Sequence, residues 1–180
     1  AEECERFFTP RLADLHDPFT FRDMGKAVAR IRRAVRNAEK ITVYGDYDVD
    51  GITATAMLVR ALRKLGAVCD YYLPHRLNEG YGISAAGIDA VAGRGTTLLI
   101  TVDCGISAVD KVAAAVARGI DVIITDHHEP KDRAPAAVAV LDPKLPGSTY
   151  PERTPAGVGV ALKLVQALAA DFGAGNDFWE

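Results

Sequence analysis

Three aspartates, Asp46, Asp48 and Asp50, alternate in Val43-Tyr44-Gly45-Asp46-Tyr47-Asp48-Val49-Asp50-Gly51, directly after the apolar run Ile41 to Tyr44. In an extended chain this spacing sets all three carboxylates on one face, roughly 6–7 Å between neighbours. Like charges that close oppose one another's ionisation, so protons or a cation must compensate. A hard divalent cation does so most readily, because carboxylate oxygen is its preferred ligand. Taken alone, the stretch also reads as a solvated, aspartate-rich turn. It matches the opening of a calcium-binding EF-hand loop too, but that loop needs a Glu at its twelfth position and a helix before it. Here the twelfth position is Met57 and the preceding residues read as a strand.

Other polar residues follow apolar runs in the same way. Asp103 follows Leu98–Val102, Asp126-His127-His128 follow Val122–Thr125, and Asp142 follows Val138–Leu141. In open α/β sheets, ligands bind beyond the carboxyl ends of the strands, so these groups share one edge. For any single Asp a helix N-cap is the plainer reading, and Gly105 and Ser107 after Asp103 fit it. Capping explains neither two adjacent histidines nor three alternating aspartates. The donor set lacks the thiolates of a structural zinc site and suits Mn²⁺ or Mg²⁺, with carboxylates enough for two ions. Paired ions clamp the attacking and leaving oxygens of a phosphoryl displacement. His128 could then stand against a phosphoryl oxygen or the leaving group.

The elements that must position these residues alternate. Strands are expected at Ile41–Tyr44, Cys69–Leu73, Thr97–Val102, Asp121–Thr125 and Ala137–Leu141. Helices are expected at about Asp23–Asn37, Thr53–Leu65, Ser84–Val91, Ser107–Arg118 and Gly157–Phe172. Near-continuous apolar strands, each followed by a helix, indicate an α/β fold: an open, mostly parallel five-stranded, Rossmann-like sheet with helices on both faces. In the first helix, Met24, Ala27, Val28, Ile31, Ala34 and Val35 form the apolar stripe. Arg30, Arg32, Arg33 and Arg36 fall on the solvated faces. Residues 1–22 read as an arm that packs Phe7, Phe8, Leu12, Leu15 and Phe19 onto the body.

Composition sets limits. Hydrophobic residues make up 49% and charged residues 25%, as in an ordinary globular protein. No apolar run approaches the roughly 20 residues of a membrane span, and the opening residues are not expected to be a signal peptide. Cys4, Cys69 and Cys104 have no metal-type spacing and argue for a reducing, cytoplasmic setting rather than a disulfide framework. The net charge of −3 provides no global field for a polyanion. A local patch or bound metal must supply the attraction.

Tyr44 to Gly51, Val102-Asp103-Cys104-Gly105 and Asp126-His127-His128 resemble the first three motifs of the DHH phosphoesterases. Leu15-His16-Asp17-Pro18-Phe19, Arg76-Leu77-Asn78-Glu79-Gly80-Tyr81-Gly82 and Gly157-Val158-Gly159-Val160-Ala161 are similar to the RecJ branch, the single-strand-specific 5′→3′ exonucleases. The resemblance implies metal-dependent release of mononucleotides from single-stranded DNA in repair and recombination. It implies that Asp48, Asp50, Asp103 and His127 are metal ligands, Asp103 bridging two Mn²⁺ or Mg²⁺ ions, with Asp46 a ligand or a neighbour of one. Asp126 would orient a histidine, and His128 and Arg76 would contact the phosphate. A single-strand-binding protein and a helicase are the partners it suggests, for a monomer that meets no membrane. RecJ-like proteins also carry a second, DHH-associated domain, an OB-fold and a fourth acidic motif. Residues 23–180 therefore read as a DHH domain incomplete at its C-terminal end, expected to bind one of the two ions weakly and to show little nuclease activity. Asp142 reads as a loop residue or a neighbour of the ligands rather than that motif.

Two other functions compete. A small-substrate DHH phosphoesterase would prefer oligoribonucleotides or nucleotide phosphates a few units long. A non-catalytic nucleotide-binding module would need a Gly-rich phosphate loop after the first strand, which the chain lacks. Cys104 reads as a packed thiol, Tyr47 and Tyr81 as packing and loop-fixing groups, and His16 and His75 as surface residues.

Overall fold

The computed structural model describes residues 4, 7–9, 11 and 14–179. Its strands are β1 (Ile41–Tyr44), β2 (Cys69–Tyr72), β3 (Leu98–Val102), β4 (Asp121–Thr125) and β5 (Ala139–Leu141). Its helices are α1 (Met24–Arg36), α2 (Val49–Lys64), the short α3 (Arg76–Glu79), α4 (Ala85–Gly93), α5 (Val109–Val116) and α6 (Gly157–Asp171). The sheet runs β2-β1-β3-β4-β5, and every pairing is parallel. Among the described residues, no helix is long and apolar enough to cross a membrane.

Side-chain alternation along the central strands divides the core in two. Leu98, Ile100, Val102 and Ile123 join Met24, Ile31, Leu58, Leu62 and Leu164 under α1, α2 and α6. Leu99, Val122 and Ile124 join Ile88, Val91 and Val112 under α4 and α5 on the other face. Burying one such side chain stabilises by about 1.5–3 kcal/mol. Cutting Ile100 back to Ala would cost about 2–5 kcal/mol, because the cavity adds to the lost transfer energy. Cys104 is a buried free thiol in the second cluster.

Three expectations need correcting. First, α2 starts at Val49, four residues before the expected Thr53. Asp48 is its N-cap and accepts the Gly51 N–H at 3.0 Å. Second, Arg30 is not on a solvated face. It is buried and pairs with Asp121 through Nε (2.5 Å) and with Glu39 through Nη2 (2.6 Å), so the guanidinium closes the amino-terminal edge of the sheet.

Third, the arm does not pack its aromatics as a set. Phe7 and Phe8 are 79% and 78% exposed, Leu15 and Phe19 are also exposed, and Leu12 lies outside the described residues. Phe21 does the packing instead, stacked on Tyr150 at 4.1 Å. Polar links hold the rest of this segment: Lys163 Nζ donates to the His16 carbonyl (2.8 Å) and Thr149 Oγ1 to the Thr20 carbonyl (2.7 Å). Asp17 caps the turn Pro18–Thr20, accepting the Phe19 N–H at 2.9 Å.

Candidate metal centre

In this strand order β1 and β3 are neighbours, and their outgoing connections lead to opposite halves of the sheet. That is a topological switch point, where a crevice opens beyond the strand ends. The loops after β1 and β3 meet there, and the loop after β4 lies beside them.

The three alternating aspartates do not continue β1 as one extended face. The strand ends at Tyr44, Asp48 is extended (φ −86°, ψ −179°), and Asp50 lies in the first turn of α2. The three carboxylates therefore take three environments. Asp46 is buried, its Oδ1 lacks a hydrogen-bond partner, and burial with the nearby Asp48 pushes its carboxyl up. Asp48 is exposed and caps α2. Asp50 accepts the Gly157 N–H through Oδ2 and the Val158 N–H through Oδ1, both at 2.7 Å. Gly51 permits this fold-back, since a Cβ there would stand 2.6 Å from the Asp46 backbone N and O.

Asp103 sits at the end of β3 with φ 60°. Asp tolerates this left-handed conformation better than most residues, and it turns the side chain into the crevice. Its carboxyl is pushed up to about 8, first by burial and then by the charges of Asp50 and Asp48. Oδ1 is buried without a hydrogen bond. His127 Nε2 stands 3.1 Å from it, off hydrogen-bond alignment.

Asp126 is fully buried and fully used. Oδ2 accepts the Ile106 N–H (2.9 Å), while Oδ1 accepts the His127 N–H (2.8 Å) and stands 2.7 Å from His128 Nδ1. This orients the His128 ring. Burial would lower that ring's pKa, but the hydrogen bond and charge of Asp126 outweigh it and raise it. Tyr81 packs edge-on to the ring at 5.5 Å, its hydroxyl 3.1 Å from Nδ1.

Two groups of donor atoms result, each within 4.8 Å: Asp46 with Asp48 and Asp103, and Asp103 with His127 and His128. Asp103 is common to both. Asp50 belongs to neither, although its Oδ2 is 3.9 Å from His127 Nε2. Arg76 lies in α3, with its guanidinium 5.0 Å over the Tyr47 ring. Asp142 is buried outside both groups, where Oδ1 accepts the Lys144 N–H at 2.8 Å. The buried, unpartnered Asp46 and Asp103 oxygens fit a hard divalent cation, which would compensate them both.

Sequence reasoning missed three contacts: the α6 amides on Asp50, Tyr81 on His128, and Glu79 within the loop that carries Arg76. For the first there was a signal. The residue before Gly157 is Ala156, which has no side chain to cap the helix it begins.

A family model described as the DHH family, N-terminal domain, matches residues 40–178. The chain is 46% identical over 171 residues to the single-stranded-DNA-specific exonuclease RecJ of Bacillus subtilis strain 168, across 95% of this chain and 22% of that protein. To the Escherichia coli K12 protein of the same name it is 46% identical over 144 residues, across 79% of this chain and 25% of that one. Among solved structures, exonuclease RecJ bound to manganese has a TM-score of 0.81 at 36% identity, over 89% of this chain and 41% of that one. RecJ in complex with Mn²⁺ from Thermus thermophilus has a TM-score of 0.76 at 34% identity, over 92% and 23%. The chain thus spans only 22% and 25% of the length of the two curated relatives.

Proposed function

Since this chain belongs to the DHH family, we propose that it is the metal-bearing part of a two-metal phosphodiesterase, a 5′→3′ exonuclease that releases mononucleotides from single-stranded DNA in repair and recombination. The observation that carries this reading is the convergence of Asp46, Asp48, Asp103, His127 and His128 on the crevice between β1 and β3. The names of the RecJ relatives support the substrate. The manganese and magnesium in the RecJ structures support the metals.

In this reading Asp46, Asp48, Asp50, Asp103 and His127 would hold two Mn²⁺ or Mg²⁺ ions, Asp103 belonging to both donor groups. Asp50 would join them from beside His127, its Oδ2 3.9 Å from His127 Nε2, although it falls in neither compact donor group. When bound, such ions supply Lewis acidity to the phosphoryl oxygens and make an attacking water easier to deprotonate. The protein's own groups do the rest. Asp126 holds the His128 ring with Nδ1 toward its carboxylate, so the ring can carry positive charge against a phosphoryl oxygen or the leaving group. Arg76, held over Tyr47, offers its guanidinium to a flanking phosphate. The same reading makes the protein a cytoplasmic monomer that receives single strands from a single-strand-binding protein and a helicase.

Incubation with linear 5′-phosphorylated single-stranded DNA and Mn²⁺ tests the reading. Weak, Mn²⁺-dependent release of mononucleotides is expected, absent with circular strands and lost in Asp103→Ala. Equal cutting of circular strands, or release that survives Asp103→Ala, would sink it.

A further inference from the structure

We propose that the first turn of α6 is a positioning element of the metal centre, acting through Gly157 and Val158; the inference rests on the metal reading above. Two separate observations meet at this turn. The Gly157 and Val158 N–H groups hold both oxygens of Asp50 at 2.7 Å. Independently, a Cβ at Gly157 would overlap Asp103 Oδ1 and stand 2.7 Å from Asp103 Cβ and Cγ. The missing side chain thus leaves the space in which the shared carboxylate sits, while the backbone of the same residue fixes the carboxylate beside it.

The arrangement has an electrostatic reason. Asp46, Asp48, Asp50 and Asp103 bring like charges into one crevice. The amino-terminal ends of α2 and α6 both point into it, and unpaired N–H groups there favour negative charge. Asp48 caps α2. Ala156 cannot cap α6, so Asp50 does this from another part of the chain. Among the described residues, no helix pair packs more extensively than α2 with α6, so a shift of α6 would move Asp50 and press on Asp103 together. Gly157 and Val158 touch no substrate in this scheme. They act through the two aspartates.

Mn²⁺ titration of the chain by calorimetry, with far-UV circular dichroism on the same samples, tests the assignment. Gly157→Ala pushes a methyl into Asp103. Val158→Pro removes one amide donor to Asp50 at the second residue of α6, within the first turn, where the lost N–H breaks no intrahelical hydrogen bond. Each is expected to weaken Mn²⁺ binding roughly tenfold or more, as loss of a group that orients a ligand does, with the helical signal unchanged. Gly159→Ala, whose methyl would meet only Pro155 Cβ at 3.3 Å, is the control and should bind as wild type does. If Gly157→Ala fails to fold, Val158→Pro decides alone. Wild-type affinity in folded Gly157→Ala and Val158→Pro overturns the positioning role while leaving the metal reading intact. No heat from the wild-type chain overturns both.

Discussion

Asp103 and Asp142 are both buried carboxyls with one oxygen left without a partner, yet they differ in what they face. Asp103 faces other carboxylates and a histidine, so a cation can compensate it. Asp142 faces the Lys144 N–H on one oxygen and no hydrogen-bond partner on the other, so a proton compensates it more readily than a cation does. Burial pushes the Asp142 carboxyl up to about 7, from an ordinary 3.8, against the lowering effects of that N–H and of the Lys144 charge. Between these values the folded chain keeps a proton that the unfolded chain has released. Linkage then makes this group cost stability progressively as pH rises from about 4 to about 7, and the cost stays constant above that. Asp142→Asn preserves the acceptor for Lys144 and removes the titration. Its stability gain over wild type, read from thermal melts, should be larger at pH 8 than at pH 5 by on the order of 1–3 kcal/mol, the cost of an unpartnered buried polar group. An equal difference at both pH values would show that Asp142 stays ionised in the fold.

At the scale of elements, the loop between β2 and α4 carries Arg76 and Tyr81 to the crevice, and Glu79 gives it shape. Its Oε1 accepts the His75 N–H (2.8 Å), and its Oε2 accepts the Tyr72 hydroxyl (2.8 Å) and the Ser84 hydroxyl (2.6 Å). Ser84 in turn caps α4 through the Gly87 N–H. Removing one carboxylate would free both ends of the loop while leaving Asp46, Asp48, Asp103 and His127 untouched. Glu79→Ala should therefore speed amide hydrogen exchange across residues 76–83 roughly tenfold, the equivalent of about one lost hydrogen bond, with unchanged Mn²⁺ affinity. Slow exchange in the variant would mean that Tyr81 and the Tyr44 hydroxyl, which donates to the Gly82 carbonyl and accepts the Ser84 N–H, hold the loop unaided. The part played by Glu79 was not legible beforehand, because Glu79 reads as one more charge in a polar loop, whereas Arg76 and Tyr81 are already singled out in it. The strands were legible: β1 and β4 fall where their apolar runs place them, since buried parallel strands leave an unmixed signal. The start of α2 was misread because three aspartates and a glycine look like a turn. Asp48 is instead a cap, which favours the helix, and Gly51 is required by the close approach of the Asp46 backbone.

At the scale of the molecule, charge is separated by edge. Beyond the amino ends of the strands, Arg30 and Arg33 pair with Glu39 and Asp121, which neutralises that edge. Beyond the carboxyl ends, the aspartates outnumber their cationic partners. The general rule for α/β sheets made this second edge readable without the strand order. Knowing that β1 lies against β3 needed the structure, because that pairing joins residues far apart in sequence. An edge so acidic repels a polyanion until divalent ions arrive, so ions should precede DNA, and the chain should be least stable without them. A ligand at 100 times its dissociation constant stabilises by about 2.7 kcal/mol, which for a chain of this size raises the melting temperature by about 5–10 °C. Mn²⁺ should produce that rise in the wild-type chain. Asp103→Asn removes the carboxyl pushed up to about 8 and with it the repulsion from Asp48 and Asp50, so the metal-free variant should melt at or above the metal-free wild type. It should then gain almost nothing from Mn²⁺, in keeping with a site that trades stability for function. A melting curve for Asp103→Asn that rises with Mn²⁺ as far as the wild type's would mean that the ions bind elsewhere on the molecule.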